Sequence, residues 1–159
     1  MSEHRRLILV CIDSSDHSKR ALDWCIKEIY RKNDVLGLLH VHVVPSLSGF
    51  GGDIVVTDMY SDSLLLSIAA SKGLMEKMKS FCEVRGVTPK LFLEAMNESV
   101  GNTICTIAKK HHASLIVCGQ RGLGAFRRAI FGSVSDYVLR HSSVTVATVP
   151  PSLFPQKFN

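Results

Sequence analysis

No apolar run in this chain approaches the roughly 18 residues that a membrane-spanning helix needs; Leu7–Ile12 and Leu38–Val44 are strand-sized. The opening "MSEHRRLILVCIDSSD" sets two arginines before an apolar run. That run is six residues long and lacks a small-residue cleavage site, so a secretory signal is not expected and the default location is the cytoplasm. Asn97-Glu98-Ser99 matches a glycosylation acceptor, which without a secretory route carries no weight. There is no Cys-x-x-Cys pair, and the five cysteines are scattered and odd in number. That excludes a disulfide framework and reads as small buried hydrophobes in a reducing compartment, Cys11 and Cys118 within apolar runs. No block of five or six like charges occurs, so no polybasic tail is expected despite a net charge of +5. Neither an internal repeat nor a second domain is visible.

The 159 residues are 46% hydrophobic and 21% charged, the composition of one globular domain with a sizeable core. The core is expected over about residues 5–150, with 151–159 a loosely held tail.

Strands and helices alternate along the chain. Leu7–Ile12 is continuous and rich in branched residues, as a strand buried on both faces requires. Asp13-Ser14-Ser15-Asp16 then supplies capping residues for a helix carrying Leu22, Cys25, Ile26 and Ile29 at i, i+3, i+4 and i+7. Asn33-Asp34 breaks it, and Leu36–Val44 is a second strand ended by Pro45. Residues 46–58 hold three glycines without a helical period and read as an exposed loop. A helix over Ser61–Val84 is expected to turn Leu65, Ile68, Ala69, Met75, Met78 and Cys82 toward the core, with Gly73 weakening it. Strands follow at Pro89–Ala95, Ala113–Cys118 and Val144–Val149, separated by helices over Glu98–His111 and around Val134, Val138 and Leu139. Such βαβ units predict an α/β fold with a mostly parallel sheet and right-handed crossovers. Ligands of these sheets bind beyond the carboxyl ends of the strands, at a topological switch point.

The stretch "GQRGLGAFRRAIFGSVS", Gly119–Ser135, is the densest in unusual chemistry. It is not a Rossmann fingerprint, because the first strand-to-helix turn, "CIDSSDHS", contains no glycine. Walker A fails for want of any Gly-Lys pair, and no Gly-x-Ser-x-Gly nucleophile elbow occurs. What remains is Gly-x-x-Gly, nine residues, then Gly-Ser: Gly119, Gly122, Gly132 and Ser133. Gly122 allows close backbone approach to a ligand, and Gly132-Ser133 opens a helix whose free N–H groups suit phosphate oxygens. Ser133 and Ser135 add hydroxyl donors. A glycine-containing loop with an ordinary serine cap fits the composition equally well.

This spacing, with "LVCIDSSDHS" (Leu9–Ser18) and "LLHVHVVP", resembles the universal stress protein family, specifically its nucleotide-binding branch with the motif G-x-x-G-x9-G-[ST]. The likeness runs from the first strand to the fifth. It implies a five-stranded parallel sheet with helices on both faces, binding ATP, with Mg²⁺ chelated by the phosphates. By that resemblance Asp13 is similar to the acidic residue beside adenine and ribose, the alternative being a helix-capping aspartate. Val41 resembles the position whose backbone recognises the adenine edge, with Ile12 in apolar contact. Gly119 and Gly122 line ribose and the first phosphates; Gly132, Ser133, Val134 and Ser135 hold the outer ones. Gln120 departs from the Ser or Thr common there. Arg121 is the arginine placed to reach phosphate, whereas Arg127 and Arg128 read as solvated loop cations.

Other constellations carry less. His40 and His42 share a strand face and His111-His112 ends a helix, without a convergent Cys, Asp or Glu at zinc spacing. The leading expectation is a nucleotide-dependent regulator in stress response. The alternative is a slow ATP hydrolase or nucleotide-transfer enzyme on the same site, for which Asp136 is the acid nearest the motif. Nucleic-acid binding through Arg121, Arg127 and Arg128 rests on one small patch and is not favoured. The last strand is a candidate edge whose pairing with its own twin predicts a homodimer, as the resemblance also implies.

Overall fold

In the computed structural model, residues 5–44, 55–120 and 133–151 are described, with the backbone alone at 55–58 and Ser133. The elements are β1 (Leu7–Cys11), α1 (Asp16–Trp24), β2 (Val35–His42), α2 (Val55–Glu83), β3 (Lys90–Ala95), α3 (Val100–Lys110), β4 (Leu115–Gly119), α4 (Ser133–His141) and β5 (Val146–Val149). Helix α1 continues as a wider π turn over Cys25–Ile29, closed by the Tyr30 N–H on the Cys25 carbonyl at 2.8 Å. All strand pairs are parallel, in the order β3-β2-β1-β4-β5. The expected α/β architecture, a five-stranded parallel sheet between two helical layers, is therefore present, with element ends moved by one to a few residues.

Alternation along the central strands divides the core between the two faces. Ile8, Val10, Leu36, Leu38 and Val117 pack with Leu22 and Cys25 of α1 and Met75, Met78 and Cys82 of α2. On the other face Leu9, Leu39 and Ile116 meet Ile104, Ile107 and Ala108 of α3 and Val138 of α4. Strand β1 lies between β2 and β4 and buries Ile8, Leu9 and Val10 completely. Each such side chain contributes about 1.5–3 kcal/mol of burial, which is why this run is apolar on both faces rather than alternating.

Away from the site, the starts of β1 and β2 are joined by Arg6 and Asp34. The guanidinium makes a bidentate pair, Nε to Oδ1 at 2.8 Å and Nη2 to Oδ2 at 2.6 Å, and the Arg31 N–H donates to Oδ2 at 2.9 Å. The Arg6 hydrogen bond holds the Asp34 carboxyl below its ordinary pKa, against the opposing effect of burial.

Helix α2 differs from the sequence expectation. It starts at Val55, so 55–58 are helical rather than loop, because extending an existing helix fixes one residue per hydrogen bond and weak propensity is overridden. Along its described residues up to Ala70 no side chain is buried: Leu65 and Ala69 are exposed and Ile68 is half-buried. The buried stripe begins at Ser71 and runs through Met75, Met78 and Cys82. Gly86, at φ +75°, takes the left-handed conformation that ends this segment before β3.

Candidate functional site

The strand order reverses at β1: the chain proceeds outward to β2 and β3, then returns to place β4 on the other side of β1. Beyond the carboxyl ends of these strands lies a cavity of about 290 Å³. Its lining includes Ile12, Asp13, Val41, Gly119, Val134 and Ser135. Six of the ten positions singled out from the sequence are thus brought together from four separate segments. Arg121, Gly122 and Gly132 lie outside the described residues, as do Arg127 and Arg128. Ser133 is described only as the first residue of α4.

The turn between β1 and α1 is held by serines. Ser15 is the N-cap of α1, its side chain accepting from the Ser18 N–H at 3.4 Å. Ser18, itself buried, donates its hydroxyl to the Asp13 carbonyl at 2.9 Å, and the Asp13 N–H reaches Ser18 Oγ at 3.2 Å. Asp13 Oδ1 accepts from the Ser15 N–H at 2.9 Å and from the Ser15 hydroxyl. Asp13 therefore closes an Asx-type turn ahead of α1 while also lining the cavity, and the helix cap expected of it falls to Ser15 instead.

Gly119 has a role that composition did not reveal. A Cβ there would lie 2.6 Å from the His17 carbonyl carbon and 3.0 Å from the Ser18 nitrogen. The end of β4 thus packs directly on the backbone of the first turn of α1. Beyond it, the Gln120 N–H donates to the Val149 carbonyl at 2.8 Å, fixing the strand exit against β5.

The β2 side of the cavity is positioned by two histidines and a serine. The Ile12 N–H donates to the Leu39 carbonyl at 2.8 Å, while His40 Nδ1 lies 2.7 Å from the Ile12 carbonyl. A carbonyl only accepts, so Nδ1 carries the His40 proton. His40 Nε2 and His42 Nδ1 both reach Ser71 Oγ of α2, at 3.2 and 2.9 Å. With both rings neutral, Ser71 donates to His40 and accepts from His42. His42 Nε2 is then a buried acceptor without a hydrogen-bond partner among the described residues. The shared face of His40 and His42 thus ties α2 to the strand. Among the described residues no group of three or more His, Cys, Asp or Glu is arranged to hold a metal ion.

Two cysteines in the cavity lining were read as plain core residues. Cys118 is buried and Cys11 is partly buried, and their sulfurs are 3.3 Å apart across β1 and β4. The contact with Cys118, and then burial, hold the Cys11 thiol well above its ordinary pKa. Burial also raises Cys25 to about 12 and Cys82 to about 11 in the opposite core. Wall residues not singled out from the sequence include Val100 and Ile104 of α3, whose helical period already identified a buried face without saying that part of it borders a cavity.

A doubly wound parallel sheet with a cavity at its switch point, bounded by the starts of α1 and α4, defines an α/β domain with a candidate ligand site. The model of the Universal stress protein family matches residues 4–150, and the chain belongs to that family. It is 30% identical over 146 residues to the universal stress protein YxiE of Bacillus subtilis, covering 89% of this chain and 97% of that one. A Mycolicibacterium smegmatis universal stress protein is 30% identical over 144 residues, 89% of this chain; the match spans only 47% of that relative's length. Among solved structures, an Arabidopsis thaliana family protein with AMP bound superposes at TM-score 0.64 with 22% identity, covering 93% of each chain. A universal stress protein in complex with cAMP superposes at TM-score 0.61 with 20% identity, covering 91% of this chain and 96% of the other. Among the described residues no helix is long and apolar enough to cross a membrane.

Proposed function

We propose that this protein binds ATP in the switch-point cavity and acts as a nucleotide-dependent regulator in stress response. The observation that carries the reading is the convergence of Ile12, Asp13, Val41, Gly119, Val134 and Ser135 on one cavity. Adenine packs against Ile12 and near the Val41 backbone, and Asp13 accepts from a ribose hydroxyl. The phosphates run toward the start of α4, where Gly132, Ser133 and Ser135 join Gly119, Gly122 and Arg121 in holding them. Adenine nucleotides in the AMP- and cAMP-bound relatives support the ligand class. Mg²⁺ is carried by the phosphates themselves rather than by a protein cage.

The second reading, a slow ATP hydrolase or nucleotide-transfer enzyme, needs a base beside the outer phosphates. Asp136 is a poor candidate, since its carboxylate is paired with Arg140 Nε at 2.9 Å and it is not among the cavity-lining residues. The protein works in the cytoplasm as a homodimer joined through β5, which occupies an edge of the sheet.

Denaturing freshly purified protein and weighing the released small molecules tests the ligand directly: an adenine nucleotide is expected. Release of no nucleotide, together with no heat on ATP titration, defeats the reading. Turnover well above background that vanishes in Asp136→Asn favours the enzyme instead. Sedimentation showing only monomer at micromolar concentration removes the dimer.

A further inference from the structure

Cys11 and Cys118 sit at the carboxyl ends of the two strands that flank the switch point. The β1–β4 register runs through Leu9 with Ile116 and Val10 with Val117, so these cysteines are the next pair outward. Neighbouring strands lie about 4.8 Å apart, which falls within the roughly 4.4–6.8 Å separation of Cα atoms that a disulfide spans. Their sulfurs, 3.3 Å apart, need close by only about 1.3 Å to reach the bonded distance near 2.05 Å. Both side chains line the cavity, and Cys11 is the more accessible of the two.

We propose that Cys11 and Cys118 form a reversible disulfide in the cavity wall, and that this oxidation and nucleotide occupancy oppose one another. The opposition rests on the nucleotide reading above; the disulfide itself rests on the sulfur geometry. The oxidant is a hydroperoxide. The Cys11 thiol gives up its proton and its sulfur attacks the distal peroxide oxygen; the O–O bond breaks, giving a Cys11 sulfenic acid and an alkoxide, or hydroxide from hydrogen peroxide, which takes that proton and leaves as the alcohol or water. The Cys118 sulfur then attacks the Cys11 sulfur, the S–O bond breaks, and the hydroxyl leaves with the Cys118 proton as water. In sum, two thiols and one hydroperoxide become a disulfide, water and an alcohol. Cys11 is the attacked residue because it is the one the cavity exposes, and buried Cys118 resolves it. The raised pKa of Cys11 leaves little of it as thiolate, so the first step is slow. A nucleotide seated over Cys11 excludes the peroxide. Locking the two strand ends together reshapes the wall against which the nucleotide packs, so each event disfavours the other by the same factor.

The test oxidises the reduced full chain with hydrogen peroxide, traps remaining thiols with N-ethylmaleimide, and maps unreduced peptides by mass. A Cys11–Cys118 cross-link two hydrogens lighter than its parts, reversed by dithiothreitol, is expected. It should be lost in Cys11→Ser and in Cys118→Ser and retained in Cys105→Ser. Stepwise oxidation of Cys11 to sulfinic acid without the cross-link, or a dominant cross-link through Cys105, overturns the site. Saturating ATP is expected to slow cross-linking by covering Cys11, and the oxidised protein to bind ATP about tenfold more weakly by calorimetry. Equal ATP affinity of the oxidised and reduced proteins, where calorimetry shows the reduced protein to bind it, overturns the coupling. If calorimetry shows no ATP binding, the nucleotide reading and the coupling fall together, whereas the cross-link still stands or falls by the peptide map.

Discussion

Gly119 meets His17 backbone to backbone: a Cβ at Gly119 would lie 2.6 Å from the His17 carbonyl carbon and nearer still to its oxygen. The glycine that opens the motif therefore packs β4 against the first turn of α1, on the edge of the cavity. Neither neighbour is a side chain that can swing away. Gly119→Ala should cost about 1–3 kcal/mol, as over-packing does, and lower the thermal midpoint by several degrees. Thermal unfolding followed by circular dichroism checks it; an unchanged midpoint would show that the backbone there yields freely.

Asp13 serves both its own turn and the cavity, and two substitutions separate these duties. Asn at this position keeps the oxygen that accepts from Ser15 but removes the charge, whereas Ala removes both. Asp13→Asn should weaken ATP binding several-fold with little change in melting temperature. Asp13→Ala should weaken it at least as much and also destabilise the turn, by about 1 kcal/mol. If Asp13→Asn binds as wild type does, the residue is a turn-former alone.

Ser71 joins α2 to β2 through His40 and His42. Ser71→Ala leaves two ring nitrogens short of a partner, an expected loss of about 1–3 kcal/mol in urea unfolding. Because His40 also anchors the Ile12 carbonyl, the same variant should weaken nucleotide affinity modestly. Wild-type stability in Ser71→Ala would mean that water replaces the hydroxyl without penalty.

The Arg6–Asp34 pair gives the fold a dependence on acid. Its carboxyl has a lowered pKa in the folded chain, so its stabilising contribution is complete above the unfolded value near 4 and is lost as pH falls through the native value. In Asp34→Asn that contribution is missing at every pH. Urea midpoints of the two proteins should differ at pH 7, and the gap should narrow as pH falls below about 4. A constant gap across that range would contradict the assignment.

The fold was legible because β1 and β4 are written as continuous branched apolar runs, as strands buried on both faces favour, and β2 is apolar apart from Gly37, His40 and His42. The cavity's location followed from topology, with Ile12, Asp13, Val41 and Gly119 all at strand ends. Periodicity failed in the first half of α2, where Leu65 continues an apolar pattern that has no sheet beneath it. Contacts fixed only by three-dimensional approach were invisible: Cys11 with Cys118 across 107 residues, and Gly119 with His17. Ser18, read within a recognisable segment, staples the Asp13 carbonyl only when the turn is folded.

Calorimetric titration of the apo protein with ATP tests the central claim most directly, beside the double variant Gly122→Val with Gly132→Val. Wild type is expected to show saturable heat with one nucleotide per chain, and the folded variant none, its circular dichroism spectrum unchanged. Absence of any binding heat in the wild type, or equal affinity in the double variant, would contradict the account.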